Sequence, residues 1–123
     1  MTAATLKKLS VEVLVEQFLS MALAQDEALF DEKYSKYNGL FDKMEQIKEE
    51  LKSRDGDERR ALLPLLKHRN AQVRLKAAIA LLASDPEAAR AALQKMSDAD
   101  EYPQAADARG MMRALDEGRY VPS

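Results

Sequence analysis

The amino-acid sequence predicts an all-α protein of about six helices, arranged as three antiparallel hairpins. Three observations support this fold class. Alanine, leucine, glutamate and lysine are abundant, whereas glycine and proline occur only four times each. Apolar residues recur at three- and four-residue steps, which is the period of a helix with one buried face. No stretch alternates apolar and polar residues in the way that a half-buried strand requires.

Length and composition limit the class of protein further. A chain of 123 residues is the size of one ordinary domain, so we predict a single domain over residues 1–123. The absence of cysteine excludes disulfides and thiolate metal sites, and it fits a cytoplasmic location. We expect no signal peptide, because no apolar core follows the lysines of residues 1–9. We expect no membrane span, because the longest apolar stretch contains Glu12 and Glu16.

The first two helices are predicted over residues 10–30 and 32–53. Ser10 is a candidate N-cap of the first helix. No glycine or proline follows Phe30, so one long kinked helix remains an alternative. The second helix should continue through Gly39, where a neighbouring helix or a partner could approach closely. Its predicted buried stripe consists of Tyr37, Leu40, Phe41, Met44, Ile47 and Leu51.

The third and fourth helices follow a break at residues 55–57. Pro64 lies inside the third helix, which is therefore expected to be short or kinked. Asn70 is the predicted N-cap of the fourth helix. This helix is apolar over more than half of its circumference, so it should be the most buried element.

The last two helices have clear start and stop signals. Asp85 and Pro86 are expected to begin the fifth helix, as N-cap and first helical residue. Pro103 should open the sixth helix, and Gly118 should end it. The tail is expected to fold back through Tyr120 and Val121.

Residues 62–66 (Leu-Leu-Pro-Leu-Leu), a short turn, and then Val73-Arg74, Ala77-Ala78 and Ala80-Leu81 resemble a HEAT repeat. The resemblance covers the hairpin at residues 58–83 and implies a short, right-handed HEAT-like superhelix. In such a repeat the arginine ties down the turn. This turn departs from the family's pattern, because His68 and Asn70 stand where acidic residues are common.

Four segments support a second resemblance: residues 24–28 (Ala-Gln-Asp-Glu-Ala), 36–38 (Lys-Tyr-Asn), 51–54 (Leu-Lys-Ser-Arg) and 115–118 (Leu-Asp-Glu-Gly). With them, the whole chain looks like a small bacterial family of domains of unknown function with a HEAT-like, armadillo-type helical superhelix. This resemblance implies no activity. Other small HEAT-like bacterial proteins bind partner proteins, some of them as toxin antidotes, which makes an antidote, immunity or regulatory role an analogy.

The charge is unevenly distributed along the chain. Residues 52–76 contain eight basic and three acidic side chains, whereas residues 1–51 and 77–123 both have an acidic excess. This basic hairpin could hold an acidic partner or phosphates. The alternative is a solvated face whose basic groups pair with acidic neighbours inside the fold.

Candidate partner-binding residues come from this hairpin and from a polar-aromatic cluster. They are Tyr34, Asn38, Arg59, Arg60, Lys67, His68, Arg69 and Arg74. Tyr34 and Asn38 flank the predicted buried stripe, so they either line a groove or pack at the edge of the core. We predict no catalytic, cofactor-binding or metal-binding residues. A lone histidine cannot hold zinc, and no nucleophile or carboxylate accompanies it in sequence.

The leading functional hypothesis is a non-enzymatic protein–protein interaction module whose inner surface holds another protein, with no membrane partner. The protein itself is expected to be a monomer or a homodimer. The alternative is nucleic-acid binding through residues 52–76. A DNA-directed enzyme is a third hypothesis, which lacks support because no catalytic motif is present.

Overall fold

The computed structural model describes residues 2–123, which form seven helices and no strand. The helices are α1 (Ala3–Lys7), α2 (Val11–Phe30), α3 (Tyr34–Ser53), a 3₁₀ helix (Glu58–Lys67), α4 (Ala71–Leu81), α5 (Pro86–Asp98) and α6 (Gln104–Asp116). The all-α fold class is thus confirmed. The short helix α1 is the element that the sequence analysis did not predict.

The backbone divides into two compact units, Met1–Leu62 and Leu63–Ser123. The boundary falls inside the 3₁₀ helix. The single domain predicted over residues 1–123 stays a prediction, and so does the right-handed superhelix.

The first unit is built on the antiparallel hairpin of α2 and α3, with α1 packed on α3. Ser10 is the N-cap of α2, as predicted, and its hydroxyl accepts a hydrogen bond from the backbone N–H of Val13 at 3.2 Å. The buried apolar side chains of these helices are Leu6, Leu14, Phe18, Ala22, Ala28, Met44, Ile47 and Leu51.

Helices α2 and α3 are separate, so the alternative of one long kinked helix is wrong. Glu32 has a left-handed backbone with φ +56°. The N–H of Lys33 donates to the carbonyl of Ala28 at 2.8 Å, and the N–H of Glu32 donates to that of Leu29. These bonds satisfy the last carbonyls of α2 in the manner of a Schellman motif. A glutamate occupies the position where a glycine is usual, which is why no glycine marks this boundary in the sequence.

Helix α3 runs unbroken through Gly39, as predicted, but two expectations about this region are wrong. Phe41 is exposed and Tyr37 and Leu40 are only half-buried, so full burial in α3 begins at Met44. Apart from Gly39, its chain neighbours and the adjacent backbone of α3, no heavy atom of the described residues lies within 4 Å of where a Cβ on Gly39 would stand. No other helix of the chain approaches there, whereas the approach of a partner stays a prediction. Periodicity identifies the face of a helix that is apolar, but not the length over which that face is covered.

Arg54, the residue that follows α3, connects α3 to the end of α1 through hydrogen bonds. Its Nη2 donates to the carbonyl oxygens of Leu6 and Leu9, at 3.1 and 2.7 Å. Its Nε donates to the buried carboxylate of Glu50 at 2.9 Å. One carbonyl of the last turn of α1 and one just after the helix thus accept hydrogen bonds from a side chain that follows α3 in sequence.

In the second unit, α4 is the most buried helix, as the sequence predicted. Asn70 caps it by accepting a hydrogen bond from the N–H of Val73 at 3.1 Å. Gln72 on α4 is fully buried, and its Oε1 accepts from Nε2 of buried Gln104 on α6 at 3.0 Å. The remaining buried residues of α4 are Val73, Leu75, Ala77, Ala78, Ala80 and Leu81.

The predicted signals for α5 and α6 are present in the structure. Pro86 is the first residue of α5, and Asp85 stands at the N-cap position, although its side chain makes no capping hydrogen bond. Gly118, with φ +71°, stands just after α6. The N–H of Tyr120 donates to the carbonyl of Ala114, and the tyrosine side chain is half-buried. The tail thus folds back through Tyr120, whereas the same expectation for Val121 is wrong because that side chain is exposed.

Candidate interaction surfaces

Arg59, a candidate partner-binding residue, is buried in the first unit. Its Nη2 donates to Oδ2 of Asp57 at 2.6 Å, and its Nε donates to Oδ1 at 2.9 Å. These hydrogen bonds hold the pKa of Asp57 below its usual range, because the guanidinium stabilises the ionised carboxylate. Asp57 itself has a left-handed backbone with φ +55°. Arg59 therefore stabilises the turn that precedes the 3₁₀ helix.

Arg74, another candidate, forms a bidentate ion pair with Glu101. Nη1 donates to Oε1 at 2.7 Å and Nη2 to Oε2 at 2.6 Å. Nη2 also donates to the carbonyl of Arg69 at 3.3 Å, in the turn before α4. The arginine thus ties down the turn, as the HEAT resemblance implies. The carboxylate comes from the loop between α5 and α6 instead of from the turn itself.

His68 takes part in the structure of the same turn. Its Nδ1 accepts a hydrogen bond from the backbone N–H of Asn70 at 3.0 Å. The side chain is half-buried. This bond holds the backbone at the residue that caps α4, which gives His68 a structural task in the turn.

The structure distributes the eight candidates over two units. Tyr34, Asn38, Arg59 and Arg60 belong to the first unit, and Lys67, His68, Arg69 and Arg74 belong to the second. Tyr34 and Asn38 lie one turn apart on α3, and both are exposed. Arg60, Lys67 and Arg69 are exposed as well.

Sequence reasoning missed a set of exposed apolar side chains on α2. Phe30 is 90% exposed, and Leu23 and Val13 are 38% and 36% exposed. At the start of α3, Tyr34 and Phe41 are 59% and 43% exposed. Because residues 31–33 join the two helices, Phe30 and Tyr34 lie at the same end of the hairpin.

Phe30 and Leu23 belong to a regular row along the outer face of α2, which we name the α2 seam. It consists of Glu12, Glu16, Leu19, Leu23, Asp26 and Phe30, separated by steps of four, three, four, three and four. Leu19 and Asp26 are half-buried, and the other four side chains are exposed. The spacing is visible in the sequence, but the structure shows which side chains of this row are exposed.

Near the end of the seam lies a surface depression of about 480 Å³. It is lined by Phe30 and by the carboxylate residues Asp26, Glu27 and Asp31. An aromatic ring and three acidic side chains thus meet at the end of α2.

Within residues 2–123, no group of three or more histidine, cysteine or acidic side chains could hold a metal ion. The same residues contain no helix with the length and apolar character of a membrane span.

Comparison with known proteins defines the class to which this all-helical chain belongs. Residues 12–116 match the family described as "Domain of unknown function (DUF2019)". The chain therefore belongs to this family, and the expectation of a small domain of unknown function is confirmed. The HEAT-like character inferred from residues 58–83 stays a prediction.

A solved structure is similar over almost the whole chain. It is the crystal structure of the protein RPA1889 from Rhodopseudomonas palustris CGA009, which is 41% identical in sequence. The similarity covers 96% of this chain and 98% of that chain, with a TM-score of 0.93. No curated protein matches the chain.

Proposed function

We propose that this protein is a non-enzymatic protein-interaction module that binds another protein through α2 and the start of α3. The observation that carries the proposal is the exposure of Phe30, followed at the same end of the hairpin by exposed Tyr34. Full burial of a phenylalanine side chain contributes about 1.5–3 kcal/mol. Aromatic residues are also enriched at protein interfaces, where they act as anchors.

The ion pairs of the basic hairpin favour this function over nucleic-acid binding. Arg54, Arg59 and Arg74 are paired with carboxylates of the same chain. These pairs neutralise part of the basic excess of residues 52–76, in line with the alternative of a face paired with acidic neighbours. Fewer cations then remain for phosphate contacts, which supply most non-specific affinity for nucleic acids.

The environment of His68 supports a non-catalytic role. Its Nδ1 is occupied by the N–H of Asn70, so that nitrogen does not face a substrate. In addition, no serine, cysteine or carboxylate residue stands beside His68 in the sequence that could act together with its imidazole. A cytoplasmic location is part of the proposal because the chain contains no cysteine, and an antidote or regulatory role enters it as an analogy.

The test is recovery and reconstitution of a partner. The tagged chain is used to capture proteins from nuclease-treated extracts of its native host, and the captured protein is then purified separately. Calorimetric titration should give saturable, stoichiometric binding with a micromolar or lower Kd. Retention of nucleic acid alone in untreated extracts, or failure of any captured protein to bind after purification, would refute the proposal.

A further inference from the structure

The α2 seam has the geometry of a helix-docking surface. Steps of four and three residues keep one row facing a neighbouring helix, as in coiled coils and most helical bundles. The buried stripe of α2, which contains Leu14, Phe18 and Ala22, lies roughly a third of a turn away on the helical wheel. From Glu12 to Phe30 the seam is about 27 Å long at 1.5 Å per residue. It is thus long enough for a partner helix of several turns.

The side chains of the seam indicate the chemistry of that partner. Helix α2 contains four acidic side chains and no lysine, arginine or histidine. Within the seam, Glu12 and Glu16 lie at one end, Leu19 and Leu23 in the middle, and Asp26 and Phe30 at the other end. A complementary helix therefore presents apolar side chains in its centre and basic side chains towards both ends.

The same charges argue against two other occupants. If a second copy docked antiparallel along its own seam, Glu16 would face the region of Asp26, and a parallel copy would place Glu12 and Glu16 against themselves. Like charges placed opposite one another oppose association. Nucleic acid is also disfavoured, because its phosphates would meet only carboxylates on this helix.

We propose that the α2 seam binds a basic amphipathic helix of another protein, with Leu23 and Phe30 as apolar anchors and Glu12 and Glu16 as charge-selecting residues. This inference rests on the proposed interaction function and names its surface and its partner class. The bound helix would lie lengthwise on α2 and bury Phe30.

Two synthetic helical peptides serve as probes. Both carry leucine at the a and d positions of about three heptads. One has lysine at the flanking positions, and the other has glutamate there. Binding is measured by fluorescence anisotropy of labelled peptide against the full chain. The lysine peptide should bind wild-type protein, and the glutamate peptide should bind far more weakly.

Variants with matched exposure test the apolar anchors. Leu23→Gln combined with Phe30→Gln should weaken binding of the lysine peptide by about tenfold or more, because two buried anchors are lost. Val13→Gln is the control, since Val13 lies on the same helix with almost the same exposure as Leu23 but outside the seam. It should change the affinity by less than about twofold. Circular dichroism verifies that every variant keeps its helical content.

Variants with matched charge test selectivity. Glu12→Lys with Glu16→Lys should reverse the preference, so that the glutamate peptide binds better than the lysine peptide. Asp42→Lys with Glu49→Lys makes the same change in net charge at exposed positions of α3, and it should leave the preference unaltered.

The outcomes separate this inference from the proposed function. Equal effects of seam and control variants, no binding of the lysine peptide, or a wild-type homodimer that Leu23→Gln with Phe30→Gln dissociates would each overturn the inference. A captured host protein that binds regardless of the seam variants would leave the interaction function intact. If no host protein binds at all, the proposed function fails.

Discussion

At the scale of single residues, two glycines of this chain meet opposite backbone requirements. Gly39 lies in the interior of α3, exposed, with open space where a Cβ would stand. Gly118 has φ +71° at the end of α6, in a region that side chains rarely adopt. A glycine in a helix interior costs conformational entropy, whereas a glycine at a left-handed position avoids steric strain.

We therefore predict opposite effects of alanine at these two positions. Gly39→Ala should raise the free energy of unfolding by about 0.5–1 kcal/mol, because the unfolded chain loses freedom and no neighbour is displaced. Gly118→Ala should lower it by about 1 kcal/mol, because alanine is strained at positive φ. Urea unfolding followed by circular dichroism measures both changes. Destabilisation by Gly39→Ala would contradict the open space seen beside α3.

Contacts within a few residues could be predicted from the sequence, and contacts across the chain could not. Ser10 and Asn70 were identified as caps because a cap and its N–H partner are three residues apart. The role of Arg74 in its turn was implied by the HEAT resemblance, but Glu101 was not. These two residues are 27 positions apart, and the sequence contains no local signal that joins them.

At the scale of helices, the ion pair of Arg74 and Glu101 joins α4 to the loop before α6. The bidentate contact is mostly withdrawn from solvent on the arginine side. Hydrogen bonds from Arg74 hold the pKa of Glu101 below its usual range, because they favour the ionised carboxylate. A carboxyl whose pKa is lower in the folded state stabilises the fold above its unfolded pKa. That contribution disappears as the pH falls through the lower, folded value.

The lowered pKa of Glu101 predicts how a neutral side chain at position 101 changes the stability of the fold at different pH values. Glu101→Gln should lower the free energy of unfolding by about 1–2 kcal/mol at neutral pH, since a charge-assisted contact is lost. The difference from wild type should shrink as the pH falls below about 4, where the wild-type carboxyl also becomes neutral. Urea unfolding at a series of pH values measures this difference in the free energy of unfolding. Exposed Glu49→Gln is the control, and a Glu101→Gln deficit that persisted unchanged in acid would argue against the ion pair as its cause.

The apolar pattern of the sequence predicted where the helices begin and end, but it did not predict which of their apolar side chains are covered by neighbouring elements. Apolar periodicity placed α2 and α3 within two residues of their bounds in the structure. The same periodicity assigned Phe41 to the core, although it is exposed. Phe30 lies outside the predicted apolar stripe of the first helix, but the pattern gave no indication that this side chain is 90% exposed. Whether an apolar face is covered depends on the neighbouring elements, which a single helix does not encode. The partner-binding role of the eight candidate residues stays a prediction, and the exposed apolar side chains of α2 are an addition that the structure makes to them.

At the scale of the whole molecule, the division into two compact units invites a test of cooperativity. The boundary at residues 62 and 63 falls inside the 3₁₀ helix, and Leu62 is fully buried. Each unit contains about 60 residues, a size at which a chain buries only some 60% of its unfolded surface and is marginally stable. The sequence prediction of a single domain therefore has a thermodynamic consequence.

We expect the protein to unfold in one cooperative transition. Differential scanning calorimetry should give a calorimetric enthalpy equal to the van't Hoff enthalpy. Fragments 1–62 and 63–123 should each show much less helix than the intact chain, because neither half can bury enough apolar surface alone. Two resolved heat-absorption peaks, or a fragment that unfolds cooperatively by itself, would indicate two independent domains.

The left-handed glutamate at the end of α2 has a practical consequence for such experiments. Glu32 adopts φ +56°, a conformation that costs a side chain on the order of 1 kcal/mol and that glycine adopts freely. Part of that cost is recoverable by protein engineering, because the Glu32 side chain is exposed. The Glu32→Gly variant should have a higher free energy of unfolding than the wild type. Several surface substitutions could then be combined in it without loss of the fold. A glutamate in a conformation that suits glycine thus becomes a starting point for building more stable versions of the protein.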